Sequence, residues 1–324
     1  MNLIKSTFKS LYSPCSKYIH ERWAVLFPKC YAGYVYKKNF NRKLNLKDPV
    51  EFNEKVQWLK VYSDISEWTN CSDKYKAREF VTEKGLEENL TELYGVWERA
   101  DEIDFSVLPE KFVLKTNSGY GHVILVKDKS KLDVDETVAK LNGWVGERYG
   151  LVSFEPHYWN IERRIIAEEY LQDEYNANLS SSLIDYKFYC INGEPHTIEA
   201  LYDRNVFTVG AKTETKSRGL KACAFDLDWN PRTEIYANRG DHPACRRILK
   251  PKRLDEMLRI TRVLSESFPQ VRVDLYEVDS KIFFGELTFT PGGGLDVFNW
   301  DYFLEMGNKL DLSGVKPRTK RSII

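Results

Sequence analysis

Residues 271–294, VRVDLYEVDSKIFFGELTFTPGGG, constrain the fold of this chain more than any other stretch. Val271, Val273 and Leu275 alternate with Arg272, Asp274 and Tyr276, the period-two pattern of a strand with one buried face. Ile282 and Phe284 then lead towards Glu286, with a polar turn at 277–281 between the runs and a glycine turn after them. The pattern predicts a hairpin that carries Asp274 and Glu286 on neighbouring strands facing one cleft. Two carboxylates suffice for magnesium, which takes hard oxygen ligands and leaves its other positions to water and substrate phosphates. A surface hairpin with two solvated acids is the competing reading, and the rest of the chain decides between them.

Upstream, residues 111–126 read KFVLKTNSGYGHVILV: an apolar strand ending in Lys115, a small polar loop with Gly119 and Gly121, and a returning apolar strand. Glycines let backbone amides approach phosphate oxygens without an intervening Cβ, while a strand lysine supplies a fixed positive charge. A plain hairpin turn would read the same way, and neither a complete dinucleotide fingerprint nor a Walker-type Gly-Lys-Ser/Thr is present. A third block, RIIAEEYL at 164–171, ends an apolar strand with Glu168 and Glu169. LIDYKFYCI at 183–191 follows with Asp185 and Lys187 in strand alternation.

Taken in order, these parts resemble the ATP-grasp superfamily. More narrowly, Phe52-Asn53-Glu54-Lys55 with Trp58-Leu59-Lys60, Ser72-Asp73-Lys74-Tyr75, Phe112-Val113-Leu114-Lys115-Thr116-Asn117 and residues 286–292 are similar to the TupA-like branch, associated with teichuronopeptide and capsular polysaccharide biosynthesis. The resemblance spans roughly residues 45–310. It implies an α+β ATP-grasp fold, two α/β subdomains clasping ATP, with a helical N-terminal extension. The expected division is an extension at 1–45, an N-terminal subdomain at 46–104, a small lid at 105–172, a large subdomain with the metal site at 173–312, and a basic tail at 313–324.

Carried over residue by residue, the resemblance implies that Lys115 touches the α- and β-phosphates and that Ser118, Gly119, Tyr120 and Gly121 close over the triphosphate. Glu168 accepts the adenine amino group, the backbone near Glu169 and Leu171 holds the ring edge, and Asp185 faces the ribose. Lys187, Arg204 and Arg272 are the expected contacts to the γ-phosphate or acyl phosphate. Asp274 and Glu286 match the Mg²⁺ ligands. Where amino-acid ligases of the superfamily read Glu-x-Asn, this chain reads Glu286-Leu287-Thr288, so Thr288 offers a hydroxyl or a water as the third metal ligand.

The chemistry expected is ATP-dependent ligation of a carboxylate, from a uronic acid or glutamate, to an amine through an acyl phosphate, on a capsular or other surface polysaccharide. Phosphoryl transfer asks a protein mainly for in-line positioning and charge neutralisation, and an acyl phosphate needs a lid against water, for which the Gly119/Gly121 loop is the candidate. A phosphotransferase acting on a sugar hydroxyl and a non-catalytic nucleotide-binding assembly protein are the alternatives. The expected partners are a small-molecule amine or amino acid and an acidic sugar or polysaccharide precursor. Lys212, Lys216, Arg218, Lys221, Arg239, Arg246 and Arg247, in the irregular stretch 211–249, are candidates to meet the acid, against the alternative of a solvated loop.

The balance of 48 basic and 48 acidic residues gives no support to a nucleic-acid binder, but it hides a local asymmetry. Residues 1–43 carry Lys5, Lys9, Lys17, Arg22, Lys29, Lys37, Lys38, Arg42 and Lys43 against the single acid Glu21. Nine aromatics lie in the same arm, Phe8, Tyr12, Tyr18, Trp23, Phe27, Tyr31, Tyr34, Tyr36 and Phe40. It reads either as a helical extension packed on the body or as a surface for anionic membrane or a partner. No apolar run reaches the length of a bilayer span and the first residues lack a signal-peptide core, so the expected location is cytoplasmic, with the arm as a route to the inner membrane face. Six cysteines without a Cys-x-x-Cys pair are expected to be reduced, and His122, beside the glycine loop, is the one histidine placed to act.

Overall fold

A computed structural model of the chain describes residues 14–173, 176, 179–204, 207–209, 220–236, 248–296 and 298–318. These gather into two compact units, one formed by the described residues up to 69 with 148–160 and those from 290 onwards, the other by 70–147 and 161–289.

The first unit is helical: Pro14–Leu26, Pro28–Phe40, Phe52–Tyr62 and Trp300–Lys309 are its longer helices. Glu51 caps Phe52–Tyr62, its carboxylate accepting the Asn53 and Glu54 N–H groups at 2.7 Å each, where a negative charge meets the positive end of the helix dipole. The stripe Phe52, Val56 and Leu59 is buried. Much of the aromatic arm packs inward, with Tyr31 and Ala24 in one cluster with Val61 and Phe154 and the rings of Trp23 and Tyr34 against it. Lys60 is also buried in this unit. Its ammonium donates to the Gly293 carbonyl at 2.8 Å, and nearby Glu155 accepts from the Thr290 and Ser153 hydroxyls at 2.6 and 2.5 Å.

Among the described residues the second unit holds ten strands: β1 (Leu93–Trp97), β2 (Phe112–Thr116), β3 (Val123–Val126), β4 (Ile165–Glu169), β5 (Asp185–Ile191), β6 (Glu194–Tyr202), β7 (Phe207–Val209), β8 (Lys221–Phe225), β9 (Gln270–Val278) and β10 (Lys281–Thr288). They form two five-stranded sheets, ordered β1-β4-β2-β3-β7 and β10-β9-β5-β6-β8. All pairings are antiparallel except β3 with β7. In the first sheet Phe112, Leu114, Ile124, Val126, Ile165 and Ala167 bury against Leu141 of the helix Val134–Gly146, leaving Val113 and Lys115 on the opposite face. In the second sheet the helix Leu254–Ser265 covers β5, β6 and β9 through its buried stripe of Met257, Leu258, Ile260 and Leu264. The β5–β6 and β9–β10 hairpins close through Asn192-Gly193 and Asp279-Ser280, all four at positive φ, the backbone that a two-residue turn needs to match strand twist. This is the α+β architecture expected of the sequence.

Two expectations are corrected. The stretch 211–249 is not wholly irregular, because β8 lies within it. The strand Lys-Ala-Cys-Ala-Phe has no apolar alternation of its own and exists because β6 supplies its backbone partners. Lys221 of that strand donates to Asp203 at 2.7 Å, whereas Lys212, Lys216, Arg218, Arg239, Arg246 and Arg247 lie outside the described residues. Cys30, Cys71 and Cys190 are free thiols as expected, but Cys223 is disulfide-bonded. Spacing in sequence carries no information about cysteines that tertiary structure brings together.

Candidate active site

A single irregularity in β10 aligns the two hairpin acids. From Lys281 to Phe284 the strand pairs with β9 in one register, Phe284 lying opposite Leu275; after Gly285 the register shifts by one, and Glu286 lies opposite Asp274. Unbroken alternation would have set Glu286 opposite Val273, on the buried apolar face. The bulge at Gly285 instead turns Glu286 onto the polar face. Glycine is required there, since a Cβ would stand 2.9 Å from the Asp274 carbonyl oxygen.

The polar face then runs across strands: Glu286 opposite Asp274, Asp274 opposite Lys187, with Thr288, Arg272 and Asp185 one pleat away. Arg272 donates Nε to Asp274 Oδ1 and Nη2 to Asp274 Oδ2, both at 2.7 Å. The same Nη2 lies 3.2 Å from Glu286 Oε1 and 2.9 Å from Thr288 Oγ1. Lys187 is paired with Asp274 and, at 2.8 Å, with Asp185. Asp185 also accepts from Arg204 Nη1 at 2.9 Å, and Arg204 Nη2 reaches the Tyr276 hydroxyl at 3.5 Å.

Burial works against every charge in this row, and the neighbours decide the outcome. Burial alone would raise the Glu286 carboxyl, but Lys74, Lys187 and Arg272 bring it down to about 2. Asp185, likewise penalised by burial, is held below the usual carboxylate range by Lys187 and Arg204. For Asp274, nearly inaccessible to solvent, burial pushes the carboxyl up against the pull of Arg272 and Lys187. Lys187, opposed by burial and by Arg272, is raised by Asp185, Asp274 and Glu286.

The first sheet brings its own charges to this row. Lys115 of β2 pairs with Glu168 of β4 at 2.5 Å, and Arg78 approaches the other oxygen of Glu168 at 3.6 Å. Glu168 therefore carries two cations. Lys74 joins the two sheets' residues: its ammonium lies 3.6 Å from Glu286 and donates to the Gly119 carbonyl at 2.9 Å. Burial and the neighbouring Lys115 lower its proton affinity, while Glu286 and Glu168 oppose that shift. Sequence reasoning left Lys74, Arg78 and Tyr276 off the list of site residues. The available signal was the Ser72-Asp73-Lys74-Tyr75 phrase, whose contact with Glu286 closes across more than two hundred residues.

The remaining expected residues surround this cluster. Gly119 and Gly121 adopt φ of 92° and 80°, the left-handed region open to glycine. Ser118 is buried, its carbonyl accepting from the Thr116 hydroxyl at 2.8 Å, while Tyr120 is 81% exposed. Glu169 ends β4, where its carboxylate accepts from the Glu92 N–H at 3.3 Å, and Leu171 lies two residues beyond, half-buried. His122 stacks on Trp144 with ring centroids 4.9 Å apart, and burial and the charge of Lys74 lower its proton affinity against the pull of Glu147.

Three oxygens assigned to a metal, those of Asp274, Glu286 and Thr288, thus converge on one cationic nitrogen. The donor set fits a hard cation: oxygens only, one carboxyl held low and 35% exposed. Arg272 holds the place a cation would take, so a bound metal requires the guanidinium to move. Among the described residues no group of three or more His, Cys, Asp or Glu side chains is disposed to hold a metal. The lysines around this point, Lys74, Lys115 and Lys187, suit a polyanion.

Among solved structures the chain is similar to D-alanine–D-alanine ligase from Bacillus anthracis, at 13% identity and TM-score 0.46 over 78% of this chain and 73% of that one. It is also similar to an L-amino acid ligase from Bacillus licheniformis, at 15% identity and TM-score 0.43 over 78% of this chain and 50% of that one. VanG D-Ala:D-Ser ligase from Enterococcus faecalis matches at 12% identity and TM-score 0.42 over 77% of this chain and 63% of that one. No curated protein matches the chain. The sequence model of the family described as TupA-like ATPgrasp matches residues 54–311, which include every residue of the charged row, and the chain belongs to that family.

Proposed function

We propose that this protein is an ATP-dependent carboxylate–amine ligase that works through an acyl phosphate and forms an amide on a capsular or other surface polysaccharide. The observation that carries the reading is the convergence of Asp274, Glu286 and Thr288 on the Arg272 guanidinium, with Lys74, Lys115, Lys187 and Arg204 nearby. Asp274, Glu286 and Thr288 would hold a magnesium ion, which would supply positive charge to a bound triphosphate.

The chain's own residues supply the rest. Lys115, on a rigid strand, and Lys74, tied to the glycine loop through Gly119, neutralise the triphosphate and hold it under that loop. A triphosphate that draws Arg272 away from Asp274 and Glu286 frees those carboxylates and brings the guanidinium to the transferred phosphoryl group. Lys187 and Arg204, both anchored on Asp185, present fixed charge beside it. The substrate carboxylate oxygen attacks the γ-phosphorus as ADP departs; the amine then attacks the acyl carbon, releasing phosphate and a proton. Closure of the Ser118–Gly121 loop excludes water between the two steps.

Trapping with hydroxylamine tests the reading. Purified protein with Mg·ATP and a set of uronates and amino acids is expected to release ADP and yield a hydroxamate. A stable phosphorylated sugar would instead assign a phosphotransferase, and nucleotide binding without ADP release would assign a non-catalytic role.

A further inference from the structure

The N-terminal helix Pro14–Leu26 turns an apolar stripe towards solvent. At 100° per residue, Tyr18, Ile19, Arg22 and Leu26 fall within an arc of roughly 100°, and Phe27 follows at the junction with the next helix. Tyr18, Ile19, Leu26 and Phe27 are 63%, 62%, 58% and 59% exposed. The inward side of the same helix is already used: Ala24 has no exposure, and His20 and Trp23 lie on Tyr34 with ring centroids 5.5 and 4.9 Å apart. A helix packed on a soluble body ordinarily directs polar residues outward, and contiguous exposed apolar residues mark an interaction surface. The charge of this part of the sequence is one-sided. Lys17, Arg22, Lys29, Lys37, Lys38, Arg42 and Lys43 face a single acid, Glu21, over the same stretch.

We propose that this face seats on an anionic lipid surface, with the four apolar side chains entering the headgroup boundary and the surrounding cations meeting lipid phosphates. No helix among the described residues is long and apolar enough to cross a membrane, so the contact is peripheral. It stands on the N-terminal helices alone and is independent of the reaction assigned to the charged row.

Co-sedimentation of the full chain with phosphatidylcholine vesicles, and with vesicles of phosphatidylcholine and phosphatidylglycerol, tests it. The expected result is at least about tenfold stronger partition onto the anionic vesicles, falling as salt is raised from about 0.1 M to about 1 M. Ile19→Glu with Phe27→Glu is expected to lower that partition at least about tenfold with unchanged circular dichroism and melting temperature, since both residues are exposed. Arg22→Glu with Lys29→Glu is a second variant that reverses two exposed cations and also loses the Lys29 contact over the Tyr62 ring, with the same expected loss of partition at an unchanged melting temperature. Equal partition onto both vesicle types, no partition, or full binding by both variants would overturn the proposal. So would a molecular mass that doubles with concentration and is abolished by the apolar variant, which would assign the face to a second copy of the chain.

Discussion

Replacing Arg272 by alanine separates the two roles its guanidinium fills. Two of its nitrogens hold Asp274, which is 1% exposed, at 2.7 Å each. Removing one partner from a buried ion pair costs about 3–5 kcal/mol because the other charge remains buried. Lys187 still contacts Asp274, which places the expected loss near the lower end, about 3 kcal/mol. At about 2–4 °C per kcal/mol for a unit of this size, the melting temperature should fall by about 6–12 °C. The same substitution empties the point where the Asp274, Glu286 and Thr288 oxygens converge. A divalent cation should then stabilise the variant without nucleotide, by about 2.7 kcal/mol at a concentration one hundredfold above its dissociation constant, and should do much less for the wild type, whose own guanidinium competes. Calorimetric melting of both proteins with and without Mg²⁺ or Mn²⁺ measures this directly. A fall of under about 2 °C, or a cation response equal in the two proteins, would show that Arg272 does not stand in for a metal.

Glu286→Ala is expected to lower turnover by about 10²–10³-fold while nucleotide binding, measured by calorimetry, changes far less; Lys115→Ala should show the opposite emphasis. Normal turnover in Glu286→Ala would remove the charged row from the chemistry. Gly285→Val places a side chain against the Asp274 carbonyl, so a loss of about 1–3 kcal/mol and a matching loss of turnover are expected in denaturant melts and ADP-release assays. Lys60 gives a pH test. Burial lowers its ammonium to about 7, with Glu155 opposing the shift. Between that value and the unfolded one, near 10.5, the unfolded chain binds the extra proton, so stability rises with pH by up to about 1.4 kcal/mol per unit above pH 7. Lys60→Met should flatten that slope between about pH 7 and 8.5, a range below the titration of tyrosines and most of that of thiols. An unchanged slope in urea melts would refute the assignment.

The elements that sequence alone determined are those with a local cause. The alternation Val271, Val273, Leu275 and the polar turn at 277–281 dictate a hairpin whatever surrounds them, because pleat period and turn chemistry are properties of a few consecutive residues. The periodic stripe Phe52, Val56, Leu59 likewise dictates a helix with one buried face. The charged residues of the row, Lys115, Asp185, Lys187, Arg272, Asp274 and Glu286, stand out because acids and bases at strand positions invite explanation.

Tertiary structure decided what those charges meet. Alternation through Phe284 points Glu286 towards the apolar face, and only the Gly285 bulge, set by pairing with β9, turns it to Asp274. Lys74 reaches Glu286, Arg78 reaches Glu168, and Arg272 fills the point shared by three oxygens; none of these contacts has a signature in sequence spacing. Strand β8 and the bonded Cys223 belong to the same class. The physical reason is range: backbone preference acts over a few residues, whereas a buried charge takes its partner from whichever segment folding brings within reach.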